Sequence, residues 1–462
     1  MQAPWHRAAP LAPFVGTAGH AVMLQCTMSE LACCELQAQM VFYRRPFPSP
    51  ARSASCAVVR WHQPARQPCI EQQGAGRAME QLTELQAALL DSLQRVVDKE
   101  IAPIAQQIDE TATFPTHLIS LFGELGLMQA RVPEEYGGPG LDLTTTCMAK
   151  ELVAKVSMTG AQLINQNTIS FVLPLLHFGT PEQRQKWLPL VAKGGVVSSV
   201  AITEPHAGSD VGAMRTHAVR DGDHYVVNGS KCFITMAPLA DYITLFAKTG
   251  DAGKRGVDNI SCFIVDMKTP GISLGAPEKM MGQCGTPHSD IYFDNVRVPV
   301  ENRMGDEGKG FTSCMHILDL NRPTVAAAAL GVAQGAFDIA VAYAKERKAF
   351  GRAIGEFQGL QFMLADMHMA IEASRALLYK CTRAIDAGQL DRVTEMASMV
   401  KCFCTDTAMK VTTDAVQILG GHGYIRGNHV ERMMRDAKVL QIYEGTNQIQ
   451  RMVIARRALG LR

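Results

Sequence analysis

The sequence predicts an α+β protein that is mainly α: an N-terminal α-helical domain, a small central β domain and a C-terminal four-helix-type α domain. Three observations predict it. Apolar residues recur at helical spacing from Met79 to about residue 195, the period switches to two between about Val196 and Phe311, and long helical patterns return from Thr312 to Arg462. The expected divisions are 1–78, 79–195, 196–311 and 312–462.

Residues 1–78 contain no lysine, seven arginines and five cysteines, with frequent Pro, Gln and Ala and neither period. No folded domain is expected there. Pro13, Gly16, Gly19 and His20 interrupt the one apolar run that resembles a signal-peptide core, and Glu30, Glu35 and the cysteines fit a transit peptide poorly. The preferred explanation is that translation begins at Met79 and that the upstream segment is a disordered or non-native extension.

From Met79 the first helix follows from Leu82, Leu85, Leu89, Leu93 and Val96, and Pro103 interrupts it. A second helix runs from about Pro115 to Gly126, a loop follows at Val132 to Gly140, and further helices span about 142–155, 162–178 and 181–192. In the β region, His224 to Thr235 reads as two strands joined at Asn228-Gly229, since Asn-Gly is the strongest short hairpin signal. Tyr242–Ala247, Ile260–Val265 and Ile291–Val298 add strands. Helices then extend over about 323–346, 357–387 and 393–419, the last two ending at Gly388 and Gly420-Gly421. No GxGxxG joins a strand to a helix, so a Rossmann domain is not indicated.

With 462 residues, 47% hydrophobic and 19% charged, the chain is an ordinary globular protein with a large core. A net charge of +1 gives no electrostatic argument for a nucleic acid or an anionic membrane as partner. Thirteen scattered cysteines form no C-x-x-C and no zinc framework, so free thiols in a reducing compartment are expected. The longest apolar stretch, about Ile169 to Phe178, is too short to cross a bilayer and contains Pro174. A soluble protein is expected, with no membrane partner.

The chemistry concentrates near the C-terminus, in Gln441 to Arg451. Glu444 stands between the apolar pair Ile442-Tyr443 and a Gly445-Thr446-Asn447 step that must turn. Desolvation raises a carboxylate pKa toward the range where it takes a proton at neutral pH, and Gly445 lets a substrate approach backbone N–H groups closely. The plain alternative is a helix-end Glu followed by a terminating Gly.

Seven motifs in order resemble the acyl-CoA dehydrogenase family: Ala201 to Asp210 (AITEPHAGSD), Cys232 to Thr235, Glu346 to Gly351, Phe357-Gln358, Gln417 to Gly423, Arg432 to Lys438, and Tyr443 to Thr446. The resemblance covers Met79 to Arg462 and implies the acyl-CoA dehydrogenase fold. It also implies an FAD flavoprotein that converts an acyl-CoA thioester to the trans-2-enoyl-CoA and passes electrons to an electron-transferring flavoprotein. By that resemblance Glu444 is the α-proton base, its backbone N–H polarises the thioester carbonyl, and flavin N5 takes the β-hydride. A subgroup of the family places its base within a Leu-Asp-Leu-Glu-Arg stretch. The matching residues here are Leu318 to Arg322, with Asn321 where that Glu stands, and an amide takes no proton at neutral pH.

The resemblance further implies flavin contacts at Val200, Ile202, Thr203, Phe233, Thr235, Thr446 and Gln448. Phe233 replaces a Trp common in the family; alternatively it is an inward strand residue. Ser209 is implied at the cofactor and at the CoA moiety, or it belongs to a Gly-Ser-Asp turn. Arg347, Phe350, Phe357 and Gln358 are implied at the FAD pyrophosphate and adenine, Gln417 and Gly421 at the FAD of a neighbouring subunit; taken alone, Arg347 is equally a solvated charge. Asp319, Arg322, Gly445 and Arg456 match substrate-side positions, although Asp319 and Arg322 one turn apart also suit a structural pair. A homotetramer, a dimer of dimers, is inherited from the match. Location follows it too: cytoplasmic in a bacterial cell, or the mitochondrial matrix in a eukaryotic one.

Gln162 and Gln166 match the helix that floors the acyl pocket. Unsatisfied amides under an apolar tail cost about 1–3 kcal/mol each, so a short, medium, branched or polar-ended acyl chain is expected, unless the amides face solvent or another helix. Rivals on the same scaffold are an acyl-CoA oxidase, a monooxygenase and a desulfinase. A flavin-bearing nucleic-acid binder should carry a basic patch, which 45 Lys and Arg against 44 Asp and Glu do not suggest.

Overall fold

The computed structural model describes residues 82–250 and 256–461. The extension expected at 1–78 and the start expected at Met79 lie outside them.

The first part is helical: α1 (Glu84–Val96), α2 (Ala105–Thr111), α3 (His117–Glu124), α4 (Leu143–Ala154), α5 (Met158–Leu163), α6 (Leu173–Phe178) and α7 (Pro181–Ala192). Side-chain caps set its boundaries. Thr83 and Gln86 form a capping box at α1, Thr180 and Gln183 form another at α7, and the Asp142 carboxylate accepts from the Thr145 N–H at 2.6 Å to start α4. Gln183 also ties α7 to the sheet, donating to the carbonyls of Glu301 at 2.6 Å and Arg303 at 2.9 Å.

The single helix expected over 162–178 is broken. After α5 the chain turns through Asn165, whose φ of 69° is left-handed, and a π-helical turn (Thr168–Val172) leads into α6. Backbone N–H groups of Asn165 and Asn167 donate instead to Leu127 and Met128, and the Asn167 side chain bonds Val196 and Ser198. Asparagine tolerates the left-handed region and competes for backbone partners, and this polar step stitches the helical layer to the first strand.

The sheet has eight strands: β1 (Ser198–Ala201), β2 (His217–Asp221), β3 (His224–Thr235), β4 (Tyr242–Lys248), β5 (Ile260–Asp266), β6 (Ile272–Leu274), β7 (His288–Pro299) and β8 (Arg303–Met304). Its order is β6-β7-β3-β2-β4-β5-β8, with β1 parallel to β4 off that path. The hairpin expected at Asn228-Gly229 is not there. β3 runs straight through, and the turn lies earlier, where Asp221 pairs His224 across Gly222-Asp223 and Gly222 has φ 62°. Gly229 sits at a register shift in the β3–β7 ladder, and a Cβ there would meet Thr216 at 2.6 Å, so this Asn-Gly marks a bulge and a close approach.

The last part comprises α8 (Gly310–Glu346), a short β9 (Lys348–Ala349) and β10 (Arg352–Ala353) hairpin, α9 (Gln358–Asp386), α10 (Val393–Leu419), α11 (Gly421–Tyr424), α12 (His429–Leu440) and α13 (Asn447–Ala458). The sequence reading began α8 at Pro323, a residue suited to a first turn, but the helix starts thirteen residues earlier and carries Pro323 inside it. By length and composition α8 could cross a membrane, contrary to the expectation that no segment could; two thirds of its apolar window is buried in the fold, as in a core helix. Gly331 and Gly335 let it press against α4, since a Cβ at either would lie 2.3 and 2.2 Å from carbonyl oxygens of Glu151 and Lys155.

Candidate active site

The turn between α12 and α13 presents Glu444. Both Glu444 (φ 57°) and Gly445 (φ 84°) are left-handed, and Thr446 caps α13 by accepting from the Ile449 N–H. Gly445 is required, because a Cβ there would lie 2.5 Å from Gln450 Nε2. Three side chains hold the turn from beneath. Lys401 Nζ donates to the Gly445 carbonyl at 2.8 Å, Gln450 Nε2 to the Glu444 and Gly445 carbonyls at 3.2 and 3.1 Å, and Arg322 Nε to the Glu444 carbonyl at 3.3 Å. The carbonyls are thereby occupied, while among the described residues no acceptor takes the N–H of Glu444 or Gly445.

Glu444 Oε1 accepts from Asn321 Nδ2 at 2.9 Å, and Oε2 is buried with no partner. Burial pushes this carboxyl above the usual range, against the pull of Arg322, the Asn321 hydrogen bond, Lys401 and Lys150. Burial also pulls Lys401 and Lys150 each down to about 8, partly offset by the carboxylate. A desolvated carboxylate with one free oxygen can accept a proton.

Glu444 lines a cavity of about 470 Å³, within the roughly 300–1,000 Å³ of small-molecule sites. One wall comes from the sheet: Val200 in β1, Ile202, Thr203 and Ser209 in the loop after it, Phe233 and Thr235 at the end of β3. Phe233 falls at a second irregularity of β3, has φ 58° and is 60% exposed, so the inward-strand alternative is excluded. A buried Lys231–Glu204 pair at 2.8 Å backs this wall, and Lys231 also donates to the Ile202 carbonyl. The opposite wall has Arg322, Tyr443, Glu444, Gly445 and Arg456. Gln162 and Gln166 close one side. They face the cavity, not bulk solvent, but they are not unsatisfied: Gln162 donates to Gln166 at 2.9 Å and Gln166 to the Ser198 carbonyl at 2.8 Å.

A second cleft, about 540 Å³, lies at the far end of α8, where Arg347 meets Tyr343, Gly421 and His422. The structure thus groups Arg347 with Gly421, which the sequence reading had assigned to the FAD molecules of different subunits. Phe350 is 95% exposed, Phe357 carries the Arg352 guanidinium 4.4 Å over its ring, and Gln358, Gln417 and Gln448 are exposed; none lines either cavity, nor does Thr446. Asp319 also stays outside. It is buried, pairs with Arg322 and accepts from Thr394 at 2.5 Å, so it fixes the guanidinium that reaches Glu444.

Sequence reasoning missed Lys401, Gln450, Asn165 and the donor role of Asn321. Lys401 was recoverable, for it falls at i, i+4 spacing between Ala397 and Thr405 on the buried face of α10.

An α-β-α chain enclosing an apolar cavity, with an unpaired carboxylate on one wall and hydroxyls beside an exposed aromatic face on the other, has the layout of a flavin-dependent oxidoreductase. Sequence models of the acyl-CoA dehydrogenase N-terminal, middle and C-terminal domains match residues 83–195, 199–296 and 308–459. Cyclohex-1-ene-1-carbonyl-CoA dehydrogenase of Syntrophus aciditrophicus is 45% identical over 382 residues, 82% of this chain and 91% of that protein. Butyryl-CoA dehydrogenase from Megasphaera elsdenii has a solved structure that is 38% identical with a TM-score of 0.79, covering 82% of this chain and 99% of that one. A chain in a structure described as the electron transferring flavoprotein of Acidaminococcus fermentans is 44% identical with a TM-score of 0.78, covering 82% and 99%. The protein belongs to the acyl-CoA dehydrogenase family. It is an oxidoreductase acting on CH–CH bonds of acyl-CoA, with FAD as cofactor. Its residues fit that cofactor: Thr203 and Thr235 offer hydroxyls and Phe233 an aromatic face in the cavity that Glu444 also lines.

Proposed function

We propose that this protein dehydrogenates a short, medium, branched or polar-ended acyl-CoA to its trans-2-enoyl-CoA with Glu444 as the α-proton base, and hands the electrons to an electron-transferring flavoprotein. The observation that carries the base is Glu444 Oε2, buried and unpaired in the cavity wall. An α-proton of a thioester is acidified when the carbonyl oxygen is stabilised as charge develops on it. The N–H groups of Glu444 and Gly445 suit that task, since the left-handed turn points them away from any helix carbonyl and the carbonyls beside them are already taken. Arg322 and Lys401 keep the turn rigid and favour the ionised carboxylate. Bound FAD supplies the acceptor for hydride leaving the β-carbon.

Val200, Ile202, Thr203, Phe233 and Thr235, which line the cavity, are the proposed flavin contacts, with Thr446 and Gln448, which do not line it, proposed as further cofactor contacts from the resemblance alone; Ser209 is proposed toward CoA, and Arg322, Gly445 and Arg456 toward the thioester. Arg347, Phe350, Phe357, Gln358, Gln417 and Gly421 complete the far end of the cofactor site in a homotetramer. Similarity to a relative named for a cyclohexene carboxyl thioester supports the short or branched acyl group; Gln162 and Gln166, satisfied by each other and by the Ser198 carbonyl, add no penalty against a longer one. Similarity to a chain from an electron-transferring flavoprotein structure supports the acceptor.

The test is anaerobic bleaching of the flavin by acyl-CoA thioesters, in wild type and in Glu444→Gln. Butyryl- to octanoyl-CoA and alicyclic thioesters are expected to bleach the wild type faster than palmitoyl-CoA does, and Glu444→Gln is expected to slow bleaching by about 10²–10⁴-fold. Equal rates in the mutant reject the base; faster bleaching by palmitoyl-CoA rejects the chain length. Reduction of an electron-transferring flavoprotein, measured against peroxide release, tests the acceptor.

A further inference from the structure

Each oxygen of the Glu444 carboxylate has a different fate: Oε1 accepts from the Asn321 amide at 2.9 Å, and Oε2, equally buried, accepts from nothing. The orientation of that amide is itself determined. Asn321 Oδ1 accepts from Asn165 Nδ2 at 2.9 Å; the Thr324 hydroxyl lies 3.2 Å from it but makes its shorter bond, 2.9 Å, to the Asn321 carbonyl. Rotating the amide by half a turn would set oxygen against the carboxylate and nitrogen against nitrogen, losing both contacts at once. Asn165 reaches this position only because the chain breaks between α5 and α6 and takes a left-handed φ of 69° there.

We propose that Asn321 is a positioning residue for the reaction: held by Asn165, it engages Oε1 so that Oε2 alone is presented to the α-proton and the carboxylate is kept ionised. This rests on the reading of Glu444 as the base. A hydrogen bond donated to the charged form of an acid favours that form, so losing the donor moves protonation to higher pH. The other groups acting on the carboxylate are Arg322 and Cys314 on α8, Lys401 on α10, Lys150 on α4 and the adjoining Tyr443, and neither variant replaces any of them; Lys150 donates to the Ile164 carbonyl, a backbone group that both variants keep.

Two variants of the FAD-loaded enzyme test it, Asn321→Leu and Asn165→Gly, the second because glycine accepts the left-handed φ without strain. Exchange of the α-protons of acetyl-CoA with D2O, which needs the base but offers no β-hydrogen, is followed by mass spectrometry across pH, beside flavin bleaching by butyryl-CoA and thermal unfolding. Asn321→Leu is expected to lower exchange about tenfold at neutral pH, with most of the loss recovered at alkaline pH. Asn165→Gly should move the profile the same way by less. A pH midpoint unchanged in both variants overturns the proposal even if unfolding temperatures fall, since packing alone predicts that pattern. If Asn321→Leu does not fold, the Asn165→Gly profile decides. Exchange that survives in Glu444→Gln overturns the base itself, a result distinct from an unmoved Asn321→Leu profile.

Discussion

Glu444 is held in a state that disfavours its own charge, and this has a signature apart from turnover. Its pKa is raised by burial, so the folded chain binds this proton more tightly than the unfolded chain does. The stability it contributes is complete below the usual carboxylate range and is lost as pH rises through the raised value. Glu444→Gln is therefore expected to unfold above wild type at alkaline pH, a difference that disappears at acid pH, as thermal scans at both ends would read. The sequence pointed to Glu444, the proposed base, through Glu444-Gly445-Thr446 but mistook the source of its desolvation. Ile442 is 53% exposed, and the apolar surroundings come from residues far away in the chain. Nor does any local pattern reveal that one oxygen is taken by Asn321 and the other free, because that depends on where α8 meets the turn before α13.

At the scale of elements, periodicity located the strands and long helices, and failed where one residue type has two uses. Asn228-Gly229 carries the hairpin signal, yet β7 pairs with β3 on both sides of it, and the glycine serves contact with Thr216. Gly229→Ala, at φ 142°, is expected to destabilise the protein by about 1–3 kcal/mol, read as a lower unfolding temperature with the site residues in place. A purely permissive turn would tolerate it. The break at Asn165 and the passage of α8 through Pro323 were hidden for a related reason: long-range hydrogen bonds and burial outweighed local propensity.

The whole molecule should not be a monomer in solution. Ile425, which lines the second cleft, is 60% exposed, and its chain neighbour Tyr424 and Phe350, three residues after Arg347, are 83% and 95% exposed, large apolar side chains of the kind an interface covers. Sedimentation is expected to give a species near four times the 50.2 kDa chain, and Ile425→Asp to shift it toward smaller species. A wild type that sediments as a single chain contradicts the proposed assembly.

Helix α8 joins Arg322, at the cavity, to Arg347, at the second cleft. At the rise of an α-helix the two guanidinium-bearing positions stand about 37 Å apart along a straight axis, farther than one dinucleotide reaches. On the proposed assignment, Arg347 and the flavin-facing cavity of one chain serve two different FAD molecules, so each cofactor site is completed only in the assembly. Diluting the protein should strip its yellow colour, so flavin retention and subunit concentration ought to fall together.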